Sequence, residues 1–129
     1  MSTIFTKIVS GEIPAYKIAE NEDFIAFLDA MPLVKGHTLV IPKKETDLIF
    51  DLETEEYKNL WAFAQEVAKK VKKAIPCIKV GVAVVGLEVP HAHIHLIPLN
   101  TMEDMNFKNE RLQLSAEEYA EIQNSIINS

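Results

Sequence analysis

Three of the chain's four histidines stand at alternate positions in Pro90-His91-Ala92-His93-Ile94-His95-Leu96-Ile97-Pro98. In extended backbone the side-chain period is two, so His91, His93 and His95 share one face while Ala92, Ile94 and Leu96 point to the other. With the apolar set turned to a core, the imidazoles line a groove. A single histidine is usually a hydrogen-bonded structural residue. Three in a row have little structural use, because each titrates near neutrality and each needs a partner or water.

Two chemistries can use such a row. Metal binding is the first, since neutral imidazole is a common zinc ligand. Alternate strand residues lie roughly 6.6 Å apart, so the outer two sit about 13 Å apart, against zinc–nitrogen bonds of about 2.0–2.1 Å. At most two adjacent histidines with His37 from another strand would make a comfortable zinc site, so zinc is possible but not favoured and no metal is expected to be obligatory. Phosphoryl chemistry is the second. The central ring attacks phosphorus while its neighbours donate hydrogen bonds to oxygens on either side, and no ring has to lean. The nitrogen that attacks would be chosen by the bond the other one makes, to a backbone carbonyl.

The elements that must hold this row follow from periodicity. Residues 3 to 9 predict a short helix capped by Ser2 or Thr3 and stopped at Ser10-Gly11, with Ile4, Phe5 and Ile8 on one face. AYKIA and DFIAFLD, split by ENE, predict a hairpin, and HTLVIP a third strand ended by Pro42. From Thr54 to Ala74 the residues Leu60, Trp61, Ala64, Val67, Ala68 and Val71 recur at helical spacing, with acids early and lysines late as the helix dipole favours. CIKVGVAVV and HAHIHLIPL predict two more strands joined through Gly86-Leu87-Glu88. Ser115 with Glu118 spells a capping box before Tyr119, Ile122 and Ile126, which predicts a closing amphipathic helix. The sum is an α+β domain with a mainly antiparallel sheet, one long helix, a short N-terminal helix and a C-terminal helix.

Composition narrows the partners. The 129 residues suit a single domain, and 48% hydrophobic with 25% charged residues is ordinary for a soluble globular chain. A net charge of −6 argues against a nucleic-acid polymer but leaves room for one small nucleotide. The N-terminus lacks the pattern of a secretory signal and no apolar run is long enough to span a membrane, so a cytoplasmic location is expected. Cys77, alone in IPCIKV, reads as a small buried thiol.

At the histidine row the sequence resembles the histidine triad (HIT) family, whose signature is His-x-His-x-His followed by apolar positions. Thr3-Ile4-Phe5 with Lys7-Ile8, Gly11-Glu12-Ile13-Pro14, Ala26-Phe27-Leu28-Asp29 and His37-Thr38-Leu39-Val40-Ile41-Pro42-Lys43-Lys44 follow in the order of its Hint-like branch. The likeness covers residues 3 to 98, leaving 99–129 as an extension. It implies a homodimer acting on a purine nucleoside phosphate as a phosphoramidase, hydrolase or nucleotidyl transferase. His93 would be the nucleophile that becomes a nucleotidyl-histidine, His95 would contact a phosphate oxygen, His91 would support the array, and His37 would pack against it. Asp29 would bond the ribose hydroxyls. Phe5, Ile8, Phe27 and Ala30 would surround the base, with Gly86, Glu88 and Val89 bordering the nucleotide. Phe5, Ile8 and Phe27 also suit a plain core role, and Asp29 also suits a strand end. Leu87 and Glu88 stand where many members carry Gln and Ser or Thr, polar groups that help the leaving group. Leu87 cannot donate a hydrogen bond, and Glu88 repels phosphate unless it turns away. That departure motivates an alternative, a nucleotide-binding module with little or no catalysis.

Overall fold

In a computed structural model, which describes residues 3–129, five strands form one antiparallel sheet in the order β1-β2-β3-β5-β4. The strands are β1 Lys17–Glu20, β2 Phe24–Leu28, β3 Thr38–Pro42, β4 Lys79–Ala83 and β5 Ile94–Leu99. Three helices accompany them: α1 Ile4–Ser10, α2 Thr54–Ala74 and α3 Ala116–Ile127. The α+β architecture is as the sequence pattern predicts. Thr3 caps α1 and Gly11 ends it. Ser2, the other candidate cap, lies outside the described residues.

Each central strand divides its side chains between two cores. On one face Phe24, Ala26 and Leu28 of β2, Val40 of β3, and Ile94 and Leu96 of β5 pack with Leu60, Phe63, Ala64, Val67 and Val71 of α2. Tyr119, Ile122 and Ile126 of α3 join that same core. On the other face Ile25 and Phe27 of β2 and Leu39 and Ile41 of β3 pack with Phe5 and Ile8 of α1. Covering both faces is why β2 and β3 are buried at every position and read as continuous apolar runs.

Several local expectations need correction. Ile4 is half exposed and off the buried face of α1, because only Phe5 and Ile8 point at the sheet. Trp61 and Ala68 lie at the margin of the α2 face and are only partly buried, while Phe63 takes a core position. Cys77 is partly exposed rather than buried, since Pro76 and Cys77 lie in the link between α2 and β4. The fourth strand is shorter than CIKVGVAVV, running only from Lys79 to Ala83.

The correction that bears on chemistry concerns β5. It begins at Ile94, so His91 and His93 precede the strand and only His95 lies in it. The ladder to β3 stops at Val40↔Ile94. Beyond it the approach segment finds other partners: Ala92 N–H donates to Thr46 O at 2.7 Å and the Pro42 carbonyl accepts from the His91 ring. The face assignment survives this. Ala92, Ile94 and Leu96 join the α2 core, whereas His91 and His93 meet Phe5 of the opposite face edge-on.

Candidate active site

Every imidazole in the group has its proton placed by a partner that can act only one way. A carbonyl only accepts, so the 2.7 Å contact of His93 Nδ1 with His91 O puts a proton on Nδ1, and in the neutral ring this tautomer leaves the Nε2 lone pair free. The 2.8 Å contact of His91 Nε2 with Pro42 O puts a proton on Nε2, so His91 Nδ1 accepts from the Thr3 hydroxyl at 3.1 Å. A backbone amide only donates. Leu33 N–H gives its hydrogen to His37 Nδ1 at 3.0 Å, so the His37 proton sits on Nε2 and goes to His95 Nδ1 at 2.9 Å. His95 therefore carries its remaining proton on Nε2, as a donor.

All four rings are buried, with His37 and His91 at 0% exposure, His93 at 6% and His95 at 8%. Two reactive atoms stay reachable. Among the described residues the one side-chain nitrogen or oxygen sealed from solvent without a partner is Trp61 Nε1, and neither His93 Nε2 nor His95 Nε2 has a protein partner there. Both atoms therefore border open space.

Burial also sets the charge state. It pushes His37 down to about 3, helped by the nearby Arg111 charge and by repulsion from His95 and His93 whenever those rings take up a proton. It pushes His95 down to about 4, again with His93 and Arg111 adding to the effect. His91 is lowered by burial against the opposing pull of the Pro42 carbonyl. These rings are neutral at physiological pH, so the 3.4 Å approach of His37 Nε2 to Asp29 Oδ2 is a weak polar contact and no ion pair. Asp29 itself is raised by burial, opposed by the Met31 N–H bonded to its Oδ1 at 2.9 Å and by nearby positive charge.

The turn into His37 depends on glycine. Gly36 has φ +90°, and a Cβ there would meet Ile75 at 2.8 Å, so a side chain would both strain the backbone and strike the α2 terminus. Strand β3 then starts at Thr38, directly after His37, and sets Leu39 opposite His95. Since β5 lies between β3 and β4, His95 is held on an interior strand.

Besides His91 and His93, which stand edge-on to Phe5, the expected site residues fall into three groups. Phe5, Ile8 and Phe27 form one apolar wall, with Val89 packed against it. Asp29, His37 and His95 form a polar cluster. Ala30, Gly86 and Glu88 are not drawn into either: Ala30 and Glu88 are exposed, and Gly86, at φ +71°, has nothing within 4 Å of where a Cβ would stand. Leu87 points to solvent at 90% exposure, so it takes no part in the wall. Glu88 instead borders a cavity of about 510 Å³ shared with Thr3, Glu45 and Asp47.

Three contributors were not visible in sequence. Glu45 accepts from the Thr6 hydroxyl at 2.7 Å and from Thr3 N–H at 3.3 Å, fixing the threonine that holds His91. Phe107 places its ring 5.0 Å from that of His95, edge-on. The Tyr119 hydroxyl donates to the backbone carbonyl of Asp29 at 3.0 Å. No local pattern flags any of them, because each acts on a residue far along the chain.

The HIT domain model matches residues 10–102. The chain belongs to the HIT family. Among its relatives is the adenosine 5'-monophosphoramidase hnt1 of Schizosaccharomyces pombe, 36% identical over 76% of this chain and 74% of that protein. A crystal structure of a HIT-like protein involved in cell-cycle regulation from Bartonella henselae superposes with a TM-score of 0.84 at 33% identity, covering 98% of this chain and 95% of the other. A zinc-bound HIT family protein from Mycobacterium smegmatis superposes with a TM-score of 0.82 at 29% identity, over 99% and 95% of the two chains.

That relative raises zinc for this HIT chain. The donor atoms of Asp29, His37 and His95 lie within 4.8 Å of one another, which is the set a metal would use here. They do not fit one. A neutral His37 binding through Nε2 would have to carry its proton on Nδ1, directly against the Leu33 N–H that donates there at 3.0 Å. Two donors would then face each other at a fully buried position. The set of three weighed from sequence, His37 with two adjacent triad rings, fails at the same His37 nitrogen.

Proposed function

We propose that this HIT protein cleaves a P–N or P–O bond of a nucleoside phosphate through a covalent nucleotidyl-His93. The observation that carries this is the 2.7 Å bond from His93 Nδ1–H to the His91 carbonyl, which leaves Nε2 as an unprotonated nucleophile bordering open space. The Nε2 lone pair forms a bond to phosphorus as the bond to the leaving amine or alcohol breaks, and that group leaves with a proton from water. The donor proton on His95 Nε2 meets a nonbridging oxygen, where charge accumulates. Water then attacks phosphorus, releases His93 and yields the nucleoside monophosphate. The wall of Phe5, Ile8, Phe27 and Val89 takes the base, and the Asp29 carboxylate takes the ribose hydroxyls. The phosphoramidase activity named for the S. pombe relative supports the reaction class.

His93→Ala tests the reading. Release of AMP from an adenosine phosphoramidate is expected to fall by at least about a thousandfold, and intact mass should show a nucleotidyl adduct on the wild type only. Unchanged turnover discards the nucleophile. Nucleotide binding by calorimetry with neither adduct nor product would favour the binding-module reading that Leu87 and Glu88 motivate. Activity lost to a chelator would contradict the metal-free step.

A homodimer completes the proposal. Strand β4 is a sheet edge, and Val82 within it, with Val84 and Val85 just past its end, exposes 39–51% of its surface. Apolar edges of this kind invite pairing. Sedimentation of the wild type beside Val82→Lys checks it, a monomer being expected for the variant alone.

A further inference from the structure

Arg111 is the only arginine in the chain, and it bridges two segments of backbone. Its Nη1 donates to Met31 O at 2.9 Å and its Nη2 to Phe107 O at 3.3 Å, with the guanidinium 5.7 Å from the Phe107 ring centre. Among the described residues no carboxylate lies within 4 Å of it. Two further bonds run in parallel: Leu112 N–H to Pro32 O at 2.9 Å, and the Tyr119 hydroxyl to Asp29 O at 3.0 Å. The segment from Phe107 to Tyr119 is thus stitched along residues 29–32, while Phe107 stands edge-on to His95 at 5.0 Å.

The geometry points to Arg111 as a positioning residue that ties the Asp29 loop to His95, by clamping Phe107 against the third histidine. The inference rests on the reading above, in which Asp29 holds the ribose and His95 a phosphate oxygen. Those two groups must keep their spacing for phosphorus to meet His93, and they sit on different elements: Asp29 follows β2 and His95 lies in β5, with β3 between them. A cross-tie from outside the sheet fixes that spacing. A rigid planar fork of donors holds two carbonyls on separate segments at a fixed geometry, which an ammonium on a flexible stem does less well. Arg111's charge also lowers Asp29, His37 and His95.

The test compares Arg111→Gln, Arg111→Lys and Phe107→Leu, with Glu110→Gln as an exposed control from the same segment. Two readouts are taken: kcat and KM on an adenosine phosphoramidate, and the ring proton and nitrogen signals of His95 and His91 in protein without substrate. The first three variants should lose roughly tenfold or more in kcat/KM, as misplaced reacting groups do. They should shift the His95 signals while leaving those of His91 in place, and Glu110→Gln should change neither. His95 signals and kcat/KM within twofold of wild type in Arg111→Gln would overturn the inference. So would full recovery in Arg111→Lys, which would make charge alone sufficient. If the wild type turns over no phosphoramidate, the proposed reaction fails, yet the His95 signals still decide whether the tie exists.

Discussion

His37 and His95, 58 residues apart in sequence, meet through a 2.9 Å bond whose direction is set by a third residue, the Leu33 amide on the far side of the His37 ring. The relay runs one way, from Leu33 through His37 to His95, and ends in a donor proton on His95 Nε2. Burial enforces it, since reversing either ring would leave donors facing donors away from solvent.

Replacing His37 with Ala should therefore damage both fold and site. It strands the buried Leu33 N–H and His95 Nδ1 without their partner and opens a void, a loss of about 2–4 kcal/mol in unfolding free energy. Urea unfolding measures it. A change below about 0.5 kcal/mol would show that the relay carries no structural load.

Stability should fall on acidification. The buried His37, His95 and His91 bind protons more weakly in the folded state than in the unfolded chain, where 6.5 is ordinary, and the lowest of them sits at about 3. Between those limits the unfolded state holds more protons, so stability is fully present above about 6.5 and is lost as pH drops toward 3. Asp29, raised by burial, works in the opposite direction and blunts the loss. Thermal melting from pH 7.5 down to pH 4 should show a steady decline, and a flat profile would contradict the neutral, buried array.

Thr3→Val keeps the shape of the α1 cap while removing the hydroxyl that donates to His91 Nδ1 and accepts from Thr6 N–H. The expected loss is about 1–2 kcal/mol. Thr3→Ser, which keeps the oxygen, should recover most of it. Equal behaviour of the two in denaturant melts would detach Thr3 from the array.

Glu88→Ser should raise kcat/KM for an anionic nucleotide by a few-fold at low salt, because an exposed carboxylate beside the cleft repels phosphate and adds to the negative surroundings of Asp29. Screening should shrink the gain as salt rises through about 0.15 M. No gain at low ionic strength would mean that Glu88 does not face the bound nucleotide.

Sequence alone determined the alternation that puts His91, His93 and His95 on the face opposite Ala92, Ile94 and Leu96, and the capping box of Ser115 and Glu118 that starts α3. It also determined the α+β architecture. These rest on periods of two and 3.6 and on contacts between near neighbours, which residue order encodes directly. Tertiary structure alone decided where each proton sits, why β5 starts only at Ile94, and that the C-terminal segment reaches the Asp29 loop. Those outcomes depend on bonds such as Thr3 to His91 or Arg111 to Met31, whose partners lie 88 and 80 residues apart. No local pattern encodes them, because a hydrogen bond at that separation exists only after the sheet has closed and water has been excluded around it.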